Sequence, residues 1–368
     1  MRVALVGDEY PPVTGGAAVY ARELALHLSR LGVEVVVFTR EGAEGREGVE
    51  VRELRGFGLF HRSLSPRLFG ELRRELRYGG FSVVHGVDMY SPLSLAAVRL
   101  ARGAGLPSVV TCHSVHHSSG LWRAVHLPLT LLLRKADRVI AVSGASRDFC
   151  ASLGVPGEKM EVVPNGVDPF LFHEGVDGKE FRKRLGLGEG ERLVATAMRL
   201  VKRKGPYLLL QAFSQLAEEF PELRLAVAGE GPEEKGMRRR VEEEGLDGRV
   251  EFLGPLPHEE VAGLMAGADL FVLPSSVEAF GLVAVESMAV GTPVVCPRAG
   301  GILEFGRDGY NCLMFEPGDP SSLREALARL LSDGNLVRTL RRGGLRTARR
   351  FTWERTARLT LGVYEEIA

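Results

Sequence analysis

Short apolar runs rich in β-branched residues alternate along this chain with longer stretches whose apolar positions recur at helical spacing. In the first half the runs predict strands at 2–6, 34–38, 49–54, 82–85, 108–112, 138–142 and 161–163. Between them lie amphipathic stretches such as 18–31, where Tyr20, Leu24, Leu28 and Leu31 share one helical face. The turn-forming segment 164–169 interrupts the pattern, which then restarts. Strands are predicted at 193–197, 223–228, 250–253, 270–273, 293–296 and 312–315, and helices at 206–220, 233–244, 281–290 and 321–331. Strand–helix alternation of this kind argues for an α/β fold with parallel sheets covered on both faces. The expected layout is two doubly wound, Rossmann-like domains, 1–168 and 169–350, facing each other across a cleft at their strand ends, plus a terminal helical segment, 351–368.

Composition changes this picture little. A chain of 368 residues has the length of two domains, and 45% hydrophobic with 26% charged residues is an ordinary soluble balance. Lys+Arg and Asp+Glu both number 47, so no global field argues for a nucleic-acid partner or an acidic substrate. The four cysteines show no C-x-x-C pair and no metal-ligand spacing, which points to buried free thiols in a reducing compartment. The apolar run 3–7 is too short for a signal peptide, and no stretch approaches the ~20 residues of a membrane span. A cytoplasmic protein is expected.

Candidate chemistry clusters at predicted strand ends. A helix starting near Gly281, after the strand 270–273, offers backbone N–H groups as an anion site. Glu278, just ahead of it, would repel a phosphate and is directed instead at sugar hydroxyls or a developing sugar cation. Glu286, further into the helix, can accept hydrogen bonds from a ribose diol. The competing reading is a solvated helix face with acidic residues near its start. Arg199 ends another strand, and Lys204-Gly205-Pro206 opens the next helix; a forked donor and a point charge together suit a diphosphate. An exposed basic loop is the alternative. Thr14-Gly15-Gly16-Ala17-Ala18 lacks the G-x-G-x-x-G spacing, so a nicotinamide enzyme is disfavoured, although paired glycines let backbone approach a ligand. His113 and, behind it, His85 fall at strand ends of the first domain.

These residues, in this order, resemble a retaining glycosyltransferase of family 4 with the two-domain GT-B architecture. The resemblance runs over essentially the whole chain: Gly15-Gly16, His113, Ala141-Val142-Ser143, Pro164-Asn165-Gly166-Val167-Asp168, Arg199, Lys204-Gly205, Phe252-Leu253-Gly254, the pair Glu278 and Glu286, and Gly291-Thr292-Pro293-Val294-Val295. It implies that Glu278, His113, Arg199 and Lys204 form the catalytic set. Arg199 and Lys204 would hold the donor diphosphate and stabilise it as it leaves; Glu278 and His113 would contact the transferred sugar, and Glu286 the ribose. The amides of Ala279, Phe280, Gly281 and Leu282 would hold the sugar and the β-phosphate, with Leu253, Gly254, Gly15 and Gly16 completing the donor site. It further implies a UDP- or GDP-hexose donor, retention of configuration, front-face attack, and neither metal nor cofactor. A sugar phosphorylase or a nucleotide-sugar epimerase of the same architecture is the alternative.

The acceptor half is less specified. Segment 61–77 interleaves arginines with Leu64, Leu68, Phe69, Leu72 and Leu76, and 121–133 is almost wholly apolar, with Trp122 near its start. This fits peripheral attachment to anionic lipid on the inner face of the cell membrane, as in phosphatidylinositol mannosyltransferases, with a lipid or glycan acceptor. Candidate acceptor or membrane contacts are Tyr10, Arg62, Arg67, Arg73, Arg74 and Arg77. An ordinary core-facing helix with a solvated arginine face competes with this reading.

Overall fold

The computed structural model describes residues 1–11, 15–40, 48–54, 66–115 and 131–368, and for Pro66 the backbone alone. Thr14, Arg62, Leu64, Trp122 and most of 121–133 lie outside the described residues. By internal compactness the chain forms two units, Met1–Gly166 with Trp353–Ala368, and Val167–Thr352.

Unit 1 contains β1 (Arg2–Val6), β2 (Glu34–Thr39), β3 (Glu50–Glu53), β4 (Val83–Gly86), β5 (Ser108–Cys112), β6 (Arg138–Ala141) and β7 (Met160–Val162). They pair in the order β3-β2-β1-β4-β5-β6-β7, every neighbour parallel. Strands covered on both faces read as continuous apolar runs, and Val3 to Val6 are all fully buried. The covering helices are α1 (Gly16–Arg30), α2 (Pro66–Tyr78), α3 (Pro92–Ala104) and α4 (Gly144–Ser152). Helix α3 starts on Ser91, whose hydroxyl accepts from the Ser94 N–H at 3.0 Å, with Pro92 in the first turn.

Helix α2 shows where the leucines of the arginine-rich segment go. Leu68, Leu72 and Leu76 are buried in a core with Val6, Phe38, Leu93 and Ala97, while Arg67, Arg73, Arg74 and Arg77 are exposed. The leucines that a membrane-inserting helix needs are already committed to the sheet, so insertion of this face is excluded.

Unit 2 repeats the plan with β8 (Arg192–Ala197), β9 (Leu223–Ala228), β10 (Val250–Gly254), β11 (Leu270–Val272), β12 (Val294–Pro297) and β13 (Leu313–Phe315). The order is β10-β9-β8-β11-β12-β13, again all parallel. Its helices are α5 (Lys179–Arg184), α6 (Pro206–Glu219), α7 (Glu234–Glu243), α8 (His258–Gly267), α9 (Leu282–Val290), α10 (Pro320–Ser332) and α11 (Gly334–Ala348). In each unit the chain reverses its direction of travel across the sheet at one place: between β1 and β4, and between β8 and β11. Loops leaving the carboxyl ends of strands at such a reversal diverge and leave room for a ligand.

The last helix, α12 (Trp353–Glu365), belongs to unit 1, where it packs on α1. It completes a buried polar network. Tyr364 Oη lies 2.5 Å from His85 Nδ1, His85 Nε2 lies 2.7 Å from Thr111 Oγ1, and Tyr20 Oη lies 3.0 Å from the same Thr111 oxygen. With both nitrogens occupied and no exposure, His85 is a structural residue.

Burial holds the pKa of His85 down to about 3, with the neighbouring His113 adding to the effect, and burial holds His113 near 4. Their unfolded value is about 6.5. The unfolded chain therefore binds protons that the folded unit refuses once the pH falls below about 6.5. The stability is fully present above that pH and is lost progressively down to the folded values, at up to about 1.4 kcal/mol per pH unit for each imidazole. Urea midpoints of unit 1 measured from pH 7.5 to pH 4.5 should show this slope. His85→Gln should flatten it by close to one proton, and an unchanged slope would contradict the assignment.

Candidate active site

The site forms on two loops that leave adjacent strands of unit 2. After β8 the chain runs through Arg199 into the tight turn Lys202–Lys204 and then α6. Gly205 caps that helix at φ 71°, and a Cβ there would sit 2.0 Å from the Pro274 carbonyl oxygen. Glycine thus lets the basic turn lie directly against the loop after β11. The Ser276 N–H and hydroxyl both donate to the Arg203 carbonyl, at 3.2 and 3.3 Å, and lock the two loops together. The consequence is an ion pair: Lys204 Nζ stands 2.6 Å and 2.9 Å from the two carboxylate oxygens of Glu278. Glu278 is only 8% exposed, so the pair is screened far less than a surface one. Arg199 is exposed beside this turn and makes no ion pair among the described residues. Arg199, Lys204 and Glu278, read from separate stretches of sequence, therefore share one end of one sheet.

Below the loop, the Glu278 carbonyl accepts from the Gly301 N–H at 2.9 Å. Phe280 is buried, with ring centroids 5.6 Å from Phe305 and 5.5 Å from Phe351. Its side chain anchors the loop, and the neighbouring Ala279 is half-buried. Helix α9 begins on Gly281 with no side-chain cap. The N–H groups of Leu282 and Val283 thus have no intrahelical acceptor, and the positive end of the helix adds to the charge of Arg199.

Glu286 is not on a solvated helix face: it is 2% exposed. Its Oε1 lies 2.8 Å from Nε2 of His258, the first residue of α8, and the His258 ring stands edge-on to Phe172 at 4.8 Å. Sequence reading missed His258, because a residue 28 positions away carries no spacing signal toward its partner. Leu253 is half-buried at the end of β10, and the Gly254 carbonyl accepts from the Gly229 N–H at 2.7 Å, which joins the β9 and β10 loops next to the β8 loop.

In unit 1, Gly15 and Gly16 are exposed at the start of α1, after β1. A Cβ on Gly16 would meet nothing within 4 Å, so the fold itself does not demand glycine there. His113 follows β5; its Nε2 lies 3.0 Å from the Val87 carbonyl and its ring is 4.4 Å from that of Tyr20. With its pKa held near 4 by burial, the ring is neutral at pH 7. Facing a carbonyl, Nε2 carries the proton, and Nδ1 is left as an acceptor. Tyr10, expected among the acceptor or membrane contacts, is buried at 3% exposure, and burial raises its phenol pKa.

Comparison with known proteins places these features. The model for glycosyl transferases group 1 matches residues 177–346, and that for glycosyltransferase family 4 matches 14–170. The chain is 32% identical to a D-inositol 3-phosphate glycosyltransferase of Nocardioides, over 99% of this chain and 89% of that one. It is 33% identical to the enzyme of the same name from Mycobacterium bovis, over 99% and 82%. Among solved structures, Anabaena HepE in complex with UDP and glucose superposes with a TM-score of 0.84 at 24% identity, covering both chains completely. Two doubly wound parallel units, the loop-borne charges at their strand reversal and these relatives agree: the chain belongs to the family 4, group 1 glycosyltransferases of GT-B fold, and it is a glycosyl-transferring enzyme.

Proposed function

We propose that this enzyme moves a hexose from a nucleoside diphosphate sugar to an acceptor hydroxyl with retention of configuration, and that the charge of the diphosphate is met by the protein without a metal ion. The observation that carries the reading is the Lys204–Glu278 pair, set between exposed Arg199 and the uncapped start of α9. Glu278 alone would repel a phosphate at that helix end. Paired with Lys204 it is neutralised, and Arg199 leaves the local balance positive. A diphosphate seated on the α9 amides draws Lys204 and Arg199 to its oxygens and frees Glu278 for the sugar hydroxyls. Glu286 offers its second oxygen to the ribose.

In the transfer, the bond from the anomeric carbon to the phosphate oxygen breaks as the acceptor oxygen bonds to the same face. The acceptor's proton passes to the departing phosphate oxygen, so no protein nucleophile is needed. Stabilising the leaving diphosphate is the main catalytic term. In unit 1, His113 presents Nδ1 as an acceptor for a sugar hydroxyl.

Uridine is the base to test first, because the HepE structures hold UDP or UDP-glucose. The relatives named D-inositol 3-phosphate glycosyltransferase favour an acceptor that itself carries phosphate, whether a free polyol or a lipid headgroup. The exposed arginine face of α2 could meet such anions, or an anionic membrane surface, through charge alone.

The experiment is a screen of UDP-, GDP- and ADP-hexoses for nucleoside diphosphate release, alone and with acceptor candidates. No release from any donor would sink the proposal; sugar 1-phosphate formed from glycan and inorganic phosphate would favour a phosphorylase instead. Glu278→Ala should lower kcat by at least roughly tenfold, the scale of one lost charged contact, while the Kd for nucleoside diphosphate changes less.

A further inference from the structure

We infer that His258 is a positioning residue for the nucleotide ribose, acting by holding the Glu286 carboxylate in a fixed rotamer with one oxygen left for the diol. The inference rests on the donor-site reading above and extends it to a residue outside the family's motif.

Glu286 projects from the second turn of α9 into the interior, where a buried carboxyl group requires a hydrogen-bond partner. His258 Nε2 is its hydrogen-bond partner among the described residues, at 2.8 Å, and occupies Oε1. The geometry makes this donor rigid. His258 is the first residue of α8, its side chain is 18% exposed, and the buried ring of Phe172 stands edge-on against it. Phe172 is held in turn by the Asp168 turn, where the Phe172 N–H donates to the Asp168 carbonyl at 2.9 Å. A carboxylate with one oxygen tied and its rotamer locked loses little freedom when a vicinal diol binds the other.

Titration calorimetry with UDP, GDP and ADP, and with the 2′,3′-dideoxy form of the tightest binder, tests this on the intact enzyme. His258→Ala should weaken the ribonucleotide roughly tenfold, as for a lost hydrogen bond to a charged group, and leave the dideoxynucleotide within about twofold. His258→Gln, whose amide nitrogen reaches where Nε2 stood, should recover most of the loss. Equal weakening of both nucleotides, or no recovery with glutamine, would overturn the inference and leave the donor site standing. Wild-type protein that binds none of the three diphosphates would overturn the donor-site reading itself.

Discussion

Lys204→Ala should lower kcat/KM by roughly 10²- to 10³-fold, the usual consequence of deleting one charge-stabilising donor from a preorganised site. Two effects add in this variant. The departing diphosphate loses a point charge, and Glu278, now unpaired at 8% exposure, turns its full negative charge on the incoming phosphate. The second effect makes a distinct prediction: Lys204→Ala combined with Glu278→Gln should bind nucleoside diphosphate more tightly than Lys204→Ala alone, a strong non-additivity for side chains 2.6 Å apart. Lys204→Arg should restore part of the loss, since a guanidinium keeps the charge and can fork onto both carboxylate oxygens but is bulkier than the ammonium it replaces. Kinetics and binding measured on these variants check all of this. A single alanine variant within threefold of wild-type kcat/KM would remove Lys204 from the mechanism.

Trp353→Ala should destabilise unit 1 by about 3–5 kcal/mol, the range for deleting a large aromatic from a close-packed interior. Trp353 is 1% exposed, its ring centroid is 5.9 Å from that of Tyr20, and it opens the helix that carries Thr356, Thr360, Val363 and Tyr364 into the unit. Loosening that helix withdraws Tyr364 from His85, so the cavity and an orphaned imidazole act together. Urea unfolding should show the unit 1 transition moved to lower denaturant with the unit 2 transition in place. A shift below about 1 kcal/mol would mean the helix is held elsewhere.

The sheets were the most legible part of this chain. Two-sided burial makes each parallel strand an uninterrupted apolar run, and runs such as Val3–Val6 need no context to be read. Helices were uneven. Helix α1 shows its stripe openly, whereas α11 carries Gly343 and Gly344 inside it, a pair that sequence rules count against a helix. The structure gives the reason: a Cβ on Gly343 would lie 2.0 Å from the Tyr310 carbonyl oxygen, so close packing outweighs propensity. In the site, charge type, position near strand ends and the family resemblance together singled out Arg199, Lys204, Glu278 and Glu286 as candidates. That Glu278 and Lys204 bind each other, and that His258 secures Glu286, depends on loops meeting across sequence distances of 74 and 28 residues, which no local pattern encodes. The arginine-rich helix α2 left two readings open for a related reason. An amphipathic stripe records that leucines are hidden, but not whether a sheet or a membrane hides them.

The placement of Trp353–Ala368 within unit 1 has a consequence for synthesis. The ribosome delivers the first 166 residues of that unit early, yet its last helix follows all of unit 2. Unit 2, an unbroken stretch of chain, can fold as soon as it emerges. Unit 1 lacks the helix that covers Tyr20 and His85 until residues 353–368 have emerged. Residues 1–166 are thus completed only after unit 2 has been made, and until then they stay open to aggregation and chaperone binding. A shortened gene encoding 1–166 alone should yield insoluble protein, whereas the same segment with 353–368 spliced to its end should fold.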